Sequence, residues 1–303
     1  MMDECVSMLQ KVVRIRNIET IRKLAFYILL VYEGFRESYL IDGLCLTKKD
    51  ATKLITVICV YFGLEKCRFL LVFLADDIIV SSRQALQRKV LDVSTNDINF
   101  LVLELSPDQP KLLAMDTVTI LLNQITQYLR NETNEEDLSI ITFPSIENFK
   151  TISLPLIAGS DKTKYFNQPS KFIIELLIGW LLGYFCIYKH ADSSENDFSV
   201  DVGNQLMQYS IQAELESLNI KGRKELLNRK IDLMEFTIPF NAIHVDGSNL
   251  EEITTLKVYS LVDKLNERIG GLKMKTECAS VLFLKRVTVS KTVHTIITQK
   301  IVL

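Results

Sequence analysis

The sequence predicts an α/β protein, with a mostly parallel, helix-covered sheet and a mixed or antiparallel edge near the C-terminus. Segments typical of helices and of strands alternate over the first half of the chain, and such alternation favours parallel strands joined by helices. Residues 69–74 form a continuous apolar run, which is typical of a strand buried on both faces. Two strand-like segments end the chain without a helix between them, which predicts antiparallel pairing there. We expect residues 1–303 to form one domain.

In the N-terminal half, apolar spacing predicts helices and strands in turn. Residues 18–35 carry apolar side chains at helical spacing. A second helix is expected up to residue 62, because Thr47 is suited to the N-cap and Gly63 to the end of the helix. The other predicted elements are strands over residues 39–41, 69–74, 98–105 and 138–143, and helices over residues 83–90 and from 116 or 117 to 130.

The C-terminal half has a different order. Residues 191–203 are acidic and rich in serine, which indicates an exposed loop or a weak internal boundary. Gly270 and Gly271 are expected to close a long helix that begins at residue 250. The other predictions are strands over residues 152–157, 232–239, 279–290 and 292–303, and helices over residues 172–188 and 204–229.

Charge and cysteine content exclude some classes of protein. The net charge is −2, from 35 basic and 37 acidic residues, so the basic face that phosphate binding needs is not expected and no nucleic-acid partner is predicted. The densest basic stretch, residues 221–230, includes Glu225 and is typical of an exposed helix face. The six cysteines form no CxxC pair, and the N-terminus lacks the layout of a signal peptide. These features predict a cytoplasmic or nuclear protein.

Residues 172–188 are the most apolar segment and raise the alternative of a membrane span. Glu175 interrupts the segment and leaves fewer than the roughly 20 apolar residues that a span requires. The favoured interpretation is a buried helix in which Gly179 and Gly183 permit close packing, so no membrane span is predicted.

Common catalytic motifs are not found. The sequence contains no GxxxxGK[ST] loop, no GxGxxG after a strand and no GxSxG elbow. The three histidines, His190, His244 and His294, are about fifty residues apart and form no zinc-binding pair. No cofactor is therefore predicted for the leading interpretation.

Aspartates stand at the ends of two predicted strands. Asp42 follows the first strand, and Asp76 with Asp77 follows residues 69–74. Because ligands of open α/β sheets bind at the carboxyl ends of strands, these carboxylates could converge in one crevice. They are the candidate catalytic residues, holding Mg²⁺ for phosphoryl or phosphodiester chemistry. The alternative is structural, since Asp often caps turns and helices.

Trp180 and Tyr184 are the candidate interaction residues. Trp180 is the single tryptophan and lies between two glycines in the segment GWLLGY. Trp and Tyr are enriched at interfaces, so this helix could form a groove for a partner. Core packing is the favoured interpretation of the same residues.

The motif GWLLGY, with the later run MEFTIPF, a long amphipathic helix and terminal strands, resembles an uncharacterised eukaryotic family. It is the family named after open reading frame 74 of human chromosome 1, which has a GW-x-LGYP block and a late F-x-VP strand. Phe185 stands where that family has proline, whereas Phe236, Ile238 and Pro239 match the later block. The resemblance covers about the last 135 residues and implies no activity, catalytic residue or cofactor.

The leading prediction is therefore an intracellular α/β protein that acts by binding, with a protein as its partner. The alternative is a metal-dependent phosphoryl or phosphodiester enzyme that uses Asp42 with Asp76 or Asp77. The sequence selects no substrate, partner or oligomeric state.

Overall fold

The computed structural model of the chain has the helices and strands of an α/β protein. It describes residues 2–13, 17–42, 44, 46–74, 77–94, 100–105, 111–112, 118–120, 122–123, 125–127, 139–142, 169–190, 205–220, 223–239, 244–245, 248–274 and 281–295. The helices are α1 (Met2–Val13), α2 (Ile18–Tyr32), α3 (Lys48–Phe62), α4 (Arg83–Ser94), α5 (Pro169–Leu182) and α6 (Leu250–Met274). The strands are β1 (Ser38–Leu40), β2 (Phe69–Leu74), β3 (Asp77–Ser82), β4 (Leu101–Leu105), β5 (Lys111–Leu112), β6 (Ser139–Thr142), β7 (Cys186–His190), β8 (Gln205–Ile220), β9 (Arg223–Pro239), β10 (His244–Val245), β11 (Ser248–Asn249) and β12 (Leu282–Thr295).

Local end signals set the bounds of α2 and α3. The side chain of Asn17 accepts hydrogen bonds from the backbone N–H groups of residues 19 and 20, which satisfies two donors at the start of α2. Thr47 does the same for the N–H of Asp50 at the start of α3, and Gly63 ends that helix with φ of +69°. The predicted cap and terminator of α3 are confirmed.

A four-stranded mixed sheet forms the centre of the fold, with strand order β1-β3-β2-β6. Strand β2 is buried along its whole length, as predicted for residues 69–74. Its alternate side chains enter two different cores: Phe69, Leu71 and Phe73 face one, and Leu70 and Val72 face the other. The N-terminal helices and the long C-terminal strands contribute to the first core, whereas α5 contributes to the second.

The prediction of a mostly parallel sheet is not confirmed. Among the strand pairs in the described part of the chain, only β2–β6 and β4–β7 are parallel. Residues 77–82, over which no element is predicted, form a strand that pairs antiparallel with both β2 and β1. Only residues 75–76 separate β2 from β3, and antiparallel strands need no longer connection than this.

The helix predicted over residues 204–229 is wrong. These residues lie in β8 and β9, which form a long antiparallel hairpin, and β12 pairs antiparallel with the other side of β8. Along β8, the side chains of Tyr209, Ile211, Ala213 and Leu215 are buried in alternation with half-buried polar residues. This period of two is the pattern of a strand with one buried face. The C-terminal part does contain antiparallel pairs, but they join β12 to β8 and β8 to β9, and not the two terminal strands that the sequence predicts.

The helix predicted over residues 172–188 is shorter than expected and is followed by a strand. Helix α5 ends at Leu182, Gly183 adopts φ of +78°, and β7 begins at Cys186. A side chain at Gly179 would place its Cβ 2.7 Å from Cγ1 of Ile187, which confirms close packing at this glycine. No helix in the described ranges is long and apolar enough to cross a membrane.

Two further bounds differ from the prediction. Helix α6 continues through Gly270 and Gly271 to Met274, so this glycine pair does not close it. A single strand, β12, occupies residues 282–295, where two strands were predicted. The predicted strand over residues 152–157 and the possible boundary at residues 191–203 lie outside the described residues.

The described cysteines are free thiols, and three of them are expected to resist alkylation. Burial raises the pKa of Cys5, Cys59 and Cys186 to about 12, so at pH 8 about 0.01% of each is thiolate, the reactive form. Cys67 is partly exposed. In a mass-spectrometric time course with iodoacetamide at pH 8, we expect Cys67 to react well before these three. Equal rates in the folded protein would contradict the burial described here.

Candidate functional site

The structure brings Asp42 and Asp77 to the same end of the central sheet. Strand β1 pairs antiparallel with β3, and the N–H of Ile41 donates to the carbonyl of Ile78 at 2.8 Å. The ladder ends at Leu40, two residues before Asp42, and Asp77 is the first residue of β3. Asp42 and Asp77 therefore lie at the same end of an antiparallel strand pair, and not at the carboxyl ends of two parallel strands. Asp76 lies outside the described residues.

Solvent reaches both Asp42 and Asp77. Asp42 is exposed and Asp77 is half-buried. Within the described ranges, no group of three or more His, Cys, Asp and Glu side chains is placed to hold a metal ion. Mg²⁺ is commonly bound through one or two protein carboxylates together with water and substrate phosphates. A magnesium site at Asp42 and Asp77 therefore stays a prediction.

Trp180 is a core residue. It is 4% exposed and packs in the second core, so its indole is not presented to a partner in this conformation. The Nζ atom of Lys89 donates to the carbonyl oxygen of Trp180 at 2.7 Å and lies 2.5 Å from Oε2 of Glu37. This ion pair ties α4 and α5 to the chain just before β1. The proposed role of Trp180 in an interface has no support from its position.

Arg36 lies between α2 and β1, and its guanidinium contacts two tyrosine rings. Its Cζ atom is 4.7 Å from the ring centroid of Tyr27 on α2 and 5.4 Å from that of Tyr39 on β1. The two rings are stacked on each other, with centroids 4.6 Å apart and an angle of 18° between their planes. Aromatic rings attract a nearby cation, so α2 and β1 together hold a positive charge at this place.

Tyr184 and Asp42 complete this group, because both are near enough to Arg36 for their charges to affect its pKa. Tyr27 is 8% exposed, the side chains of Arg36, Tyr39 and Tyr184 are half-buried, and Asp42 is exposed. The five residues therefore extend from the core to the surface. We call them the Arg36 site.

Burial dominates the electrostatics of the Arg36 site. It raises the pKa of Tyr39 to about 12, and the negative charge of Asp42 adds to the rise. Burial also raises the pKa of Tyr27 and Tyr184, with the charge of Arg36 acting in the opposite direction. A phenol with its ordinary pKa of about 10 is already protonated at neutral pH, so all three are able to donate hydrogen bonds. Burial lowers the pKa of Arg36, but a guanidinium keeps its charge in proteins.

The donors of the Arg36 site are not matched by acceptors from the described residues. In that part of the chain, no carboxylate forms an ion pair with Arg36, and the hydroxyls of Tyr27, Tyr39 and Tyr184 have no hydrogen-bond partner. An arginine side chain offers five N–H donors and no acceptor. None of these polar atoms is both fully buried and without a partner, so solvent reaches the donors of the site. The site can therefore supply a positive charge and several donors to a bound group.

Sequence reasoning found two members of this site and missed three. Asp42 and Tyr184 were selected as separate candidates, and the charges of both act on the pKa of Arg36. Arg36, Tyr27 and Tyr39 were not selected, because a lone arginine and two tyrosines carry no motif. The available signal was an arginine in the short segment between a buried helix and a strand, with a tyrosine in each of these elements.

Comparison of the chain with known protein families, with curated proteins and with solved structures found no match. The resemblance to the family named after open reading frame 74 of human chromosome 1 therefore stays a prediction.

Proposed function

We propose that the protein acts by binding and that its ligand enters the Arg36 site. The observation that carries this proposal is a half-buried guanidinium, held against Tyr27 and Tyr39, for which no described carboxylate serves as partner. A charge with several donors, partly enclosed by aromatic rings, has the composition of a small-molecule site. The exposed Asp42 at its rim supports access from solvent.

The test is a thermal-melting screen with nucleotides, sugar phosphates, amino acids and dicarboxylates. At least one compound should raise the melting temperature of the wild-type protein, because a ligand that binds only the folded state stabilises it. The rise should vanish in Arg36→Gln. Arg68→Gln is the matched control, because Arg68 is exposed and its Cζ lies 4.3 Å from the ring centroid of Tyr32. A screen without hits, or a hit that persists in Arg36→Gln, contradicts the proposal.

A second candidate function is metal-dependent phosphoryl or phosphodiester chemistry at Asp42 and Asp77. The pairing of β1 with β3 supports it, because it brings Asp42 and Asp77 to the same end of the sheet. Mg²⁺ would be the cofactor, and a substrate phosphate would complete its ligands. Hydrolysis of p-nitrophenyl phosphate that requires Mg²⁺ and is lost in Asp42→Asn supports this function. Activity unchanged by that substitution rules it out.

The partner class and location are also proposals. The net charge of −2 supports a ligand or protein partner over nucleic acid. The free thiols of Cys5, Cys59, Cys67 and Cys186 support a cytoplasmic or nuclear location, where thiols stay reduced. Membership of the family named after open reading frame 74 of human chromosome 1 is a further proposal, supported by the motif GWLLGY and the later run MEFTIPF.

A further inference from the structure

We infer that the Arg36 site takes a small oxyanion, either a phosphate group or a carboxylate. This inference rests on the proposed binding function and names the chemistry of the ligand. The guanidinium of Arg36 contacts the rings of Tyr27 on α2 and Tyr39 on β1, and the charge of Tyr184, between α5 and β7, acts on the pKa of Arg36.

The site is built mostly of donors. Arg36 can only donate hydrogen bonds. The phenols of Tyr27, Tyr39 and Tyr184 are protonated at neutral pH, as phenols with an ordinary pKa of about 10 are, and burial raises their pKa further. Oxyanions accept several hydrogen bonds at once, and a guanidinium fork matches both carboxylate and phosphate oxygens. An oxyanion satisfies these donors and also neutralises the half-buried charge.

Stacking fixes the position of the guanidinium before any ligand arrives. The Cζ atom of Arg36 lies within 5.4 Å of both tyrosine ring centroids, which restricts the side chain to one region. A preorganised donor loses less conformational entropy on binding than a free side chain does. Arg68 stacks on one ring only and is exposed, so it lacks this enclosure.

Asp42 limits which anions bind. Its negative charge is close enough to affect the pKa of Arg36, Tyr39 and Tyr184. A carboxylate at the rim repels an anion, so removing the charge of Asp42 strengthens anion binding. The metal-dependent function makes the opposite prediction, because there Asp42 holds the cation that attracts the phosphate.

The experiment is an NMR titration of the full chain labelled with ¹⁵N-arginine. Inorganic phosphate and acetate are the probes, and sodium chloride at matched ionic strength is the reference. The Nε–H signal of Arg36, assigned by its loss in Arg36→Lys, should shift saturably with phosphate, acetate or both, and the Arg68 signal should not. Phosphate alone indicates a phosphate ligand, and acetate alone a carboxylate ligand. No shift with either, or a non-saturable shift shared with Arg68, overturns the inference.

Variants separate the oxyanion inference from the proposed function. Arg36→Lys keeps the charge and loses the fork, and we expect at least about tenfold weaker affinity for the probe that binds. Tyr184→Phe should weaken binding about threefold to tenfold, with Tyr32→Phe as its unaffected control. Asp42→Asn should strengthen binding about twofold to fivefold without metal.

If neither probe binds but another compound stabilises the wild type through Arg36, the oxyanion inference fails and the binding function stands. If nothing binds, both fail.

Discussion

Replacing Gly183 with leucine is expected to lower the free energy of unfolding by about 2–5 kcal/mol. Gly183 has φ of +78°, which strains any residue with a Cβ. A Cβ here would also lie 2.6 Å from Oε2 of Glu37, the atom that pairs with Lys89. The leucine must therefore displace an ion pair whose lysine is 12% exposed. Urea unfolding followed by circular dichroism measures the change.

Gly63→Leu is the matched control for this prediction. Gly63 ends α3 with φ of +69°, so the backbone strain is the same, but a Cβ at this position has no heavy atom within 4 Å. Its cost should be the strain alone, about 1–2 kcal/mol. Equal losses in the two variants would contradict the role of the Glu37 contact. An unchanged melting temperature for Gly183→Leu would contradict the left-handed turn itself.

Elements with strong local signals were predictable from the sequence. Thr47 and Gly63 mark the ends of α3 by hydrogen bonding and by left-handed geometry, which depend on a few neighbouring residues. The run at residues 69–74 is too short for a helix and apolar throughout, so its burial on both faces follows from composition. Such features need no knowledge of distant parts of the chain.

The long hairpin of β8 and β9 was not predicted because two local signals conflict. Residues 205–220 contain several Leu, Gln and Glu residues, which favour helices by intrinsic propensity. Their apolar positions nevertheless follow a period of two, and tertiary burial against β12 and the N-terminal helices selects the strand. Distant contacts also set the direction in which strands pair. Residues 77–82 pair antiparallel with β2, although the alternation of helical and strand segments in the sequence favours parallel strands joined by helices.

The Arg36 site depends on contacts that no local pattern encodes. Tyr27 precedes and Tyr39 follows Arg36 in the sequence, and their rings stack on each other. Tyr184, whose charge acts on the pKa of Arg36, lies far along the chain from all three. Asp42 was selected for its place after a strand, which the structure keeps. Asp42 lies at the same end of the sheet as Asp77 because β3 runs antiparallel to β1, and not because two parallel strands end there.

The second prediction tests the central strand. Leu71→Ala is expected to lower the free energy of unfolding by about 2–5 kcal/mol, because it deletes buried methyl groups and leaves a cavity. Leu71 is fully buried on β2 and faces the core shared by the N-terminal helices and the long C-terminal strands. Loss of its side chain therefore weakens contacts between the first and the last parts of the chain. Urea unfolding gives the free energy.

Ile140→Ala is the control within the same sheet. Ile140 is the partner of Leu71 in the parallel ladder between β2 and β6, yet it is 42% exposed. Its truncation removes less buried surface, so we expect a loss of about 1 kcal/mol or less. Equal losses for Leu71 and Ile140 would mean that β6 is covered as fully as β2. A small loss for Leu71 alone would mean that the first core is looser than its burial indicates.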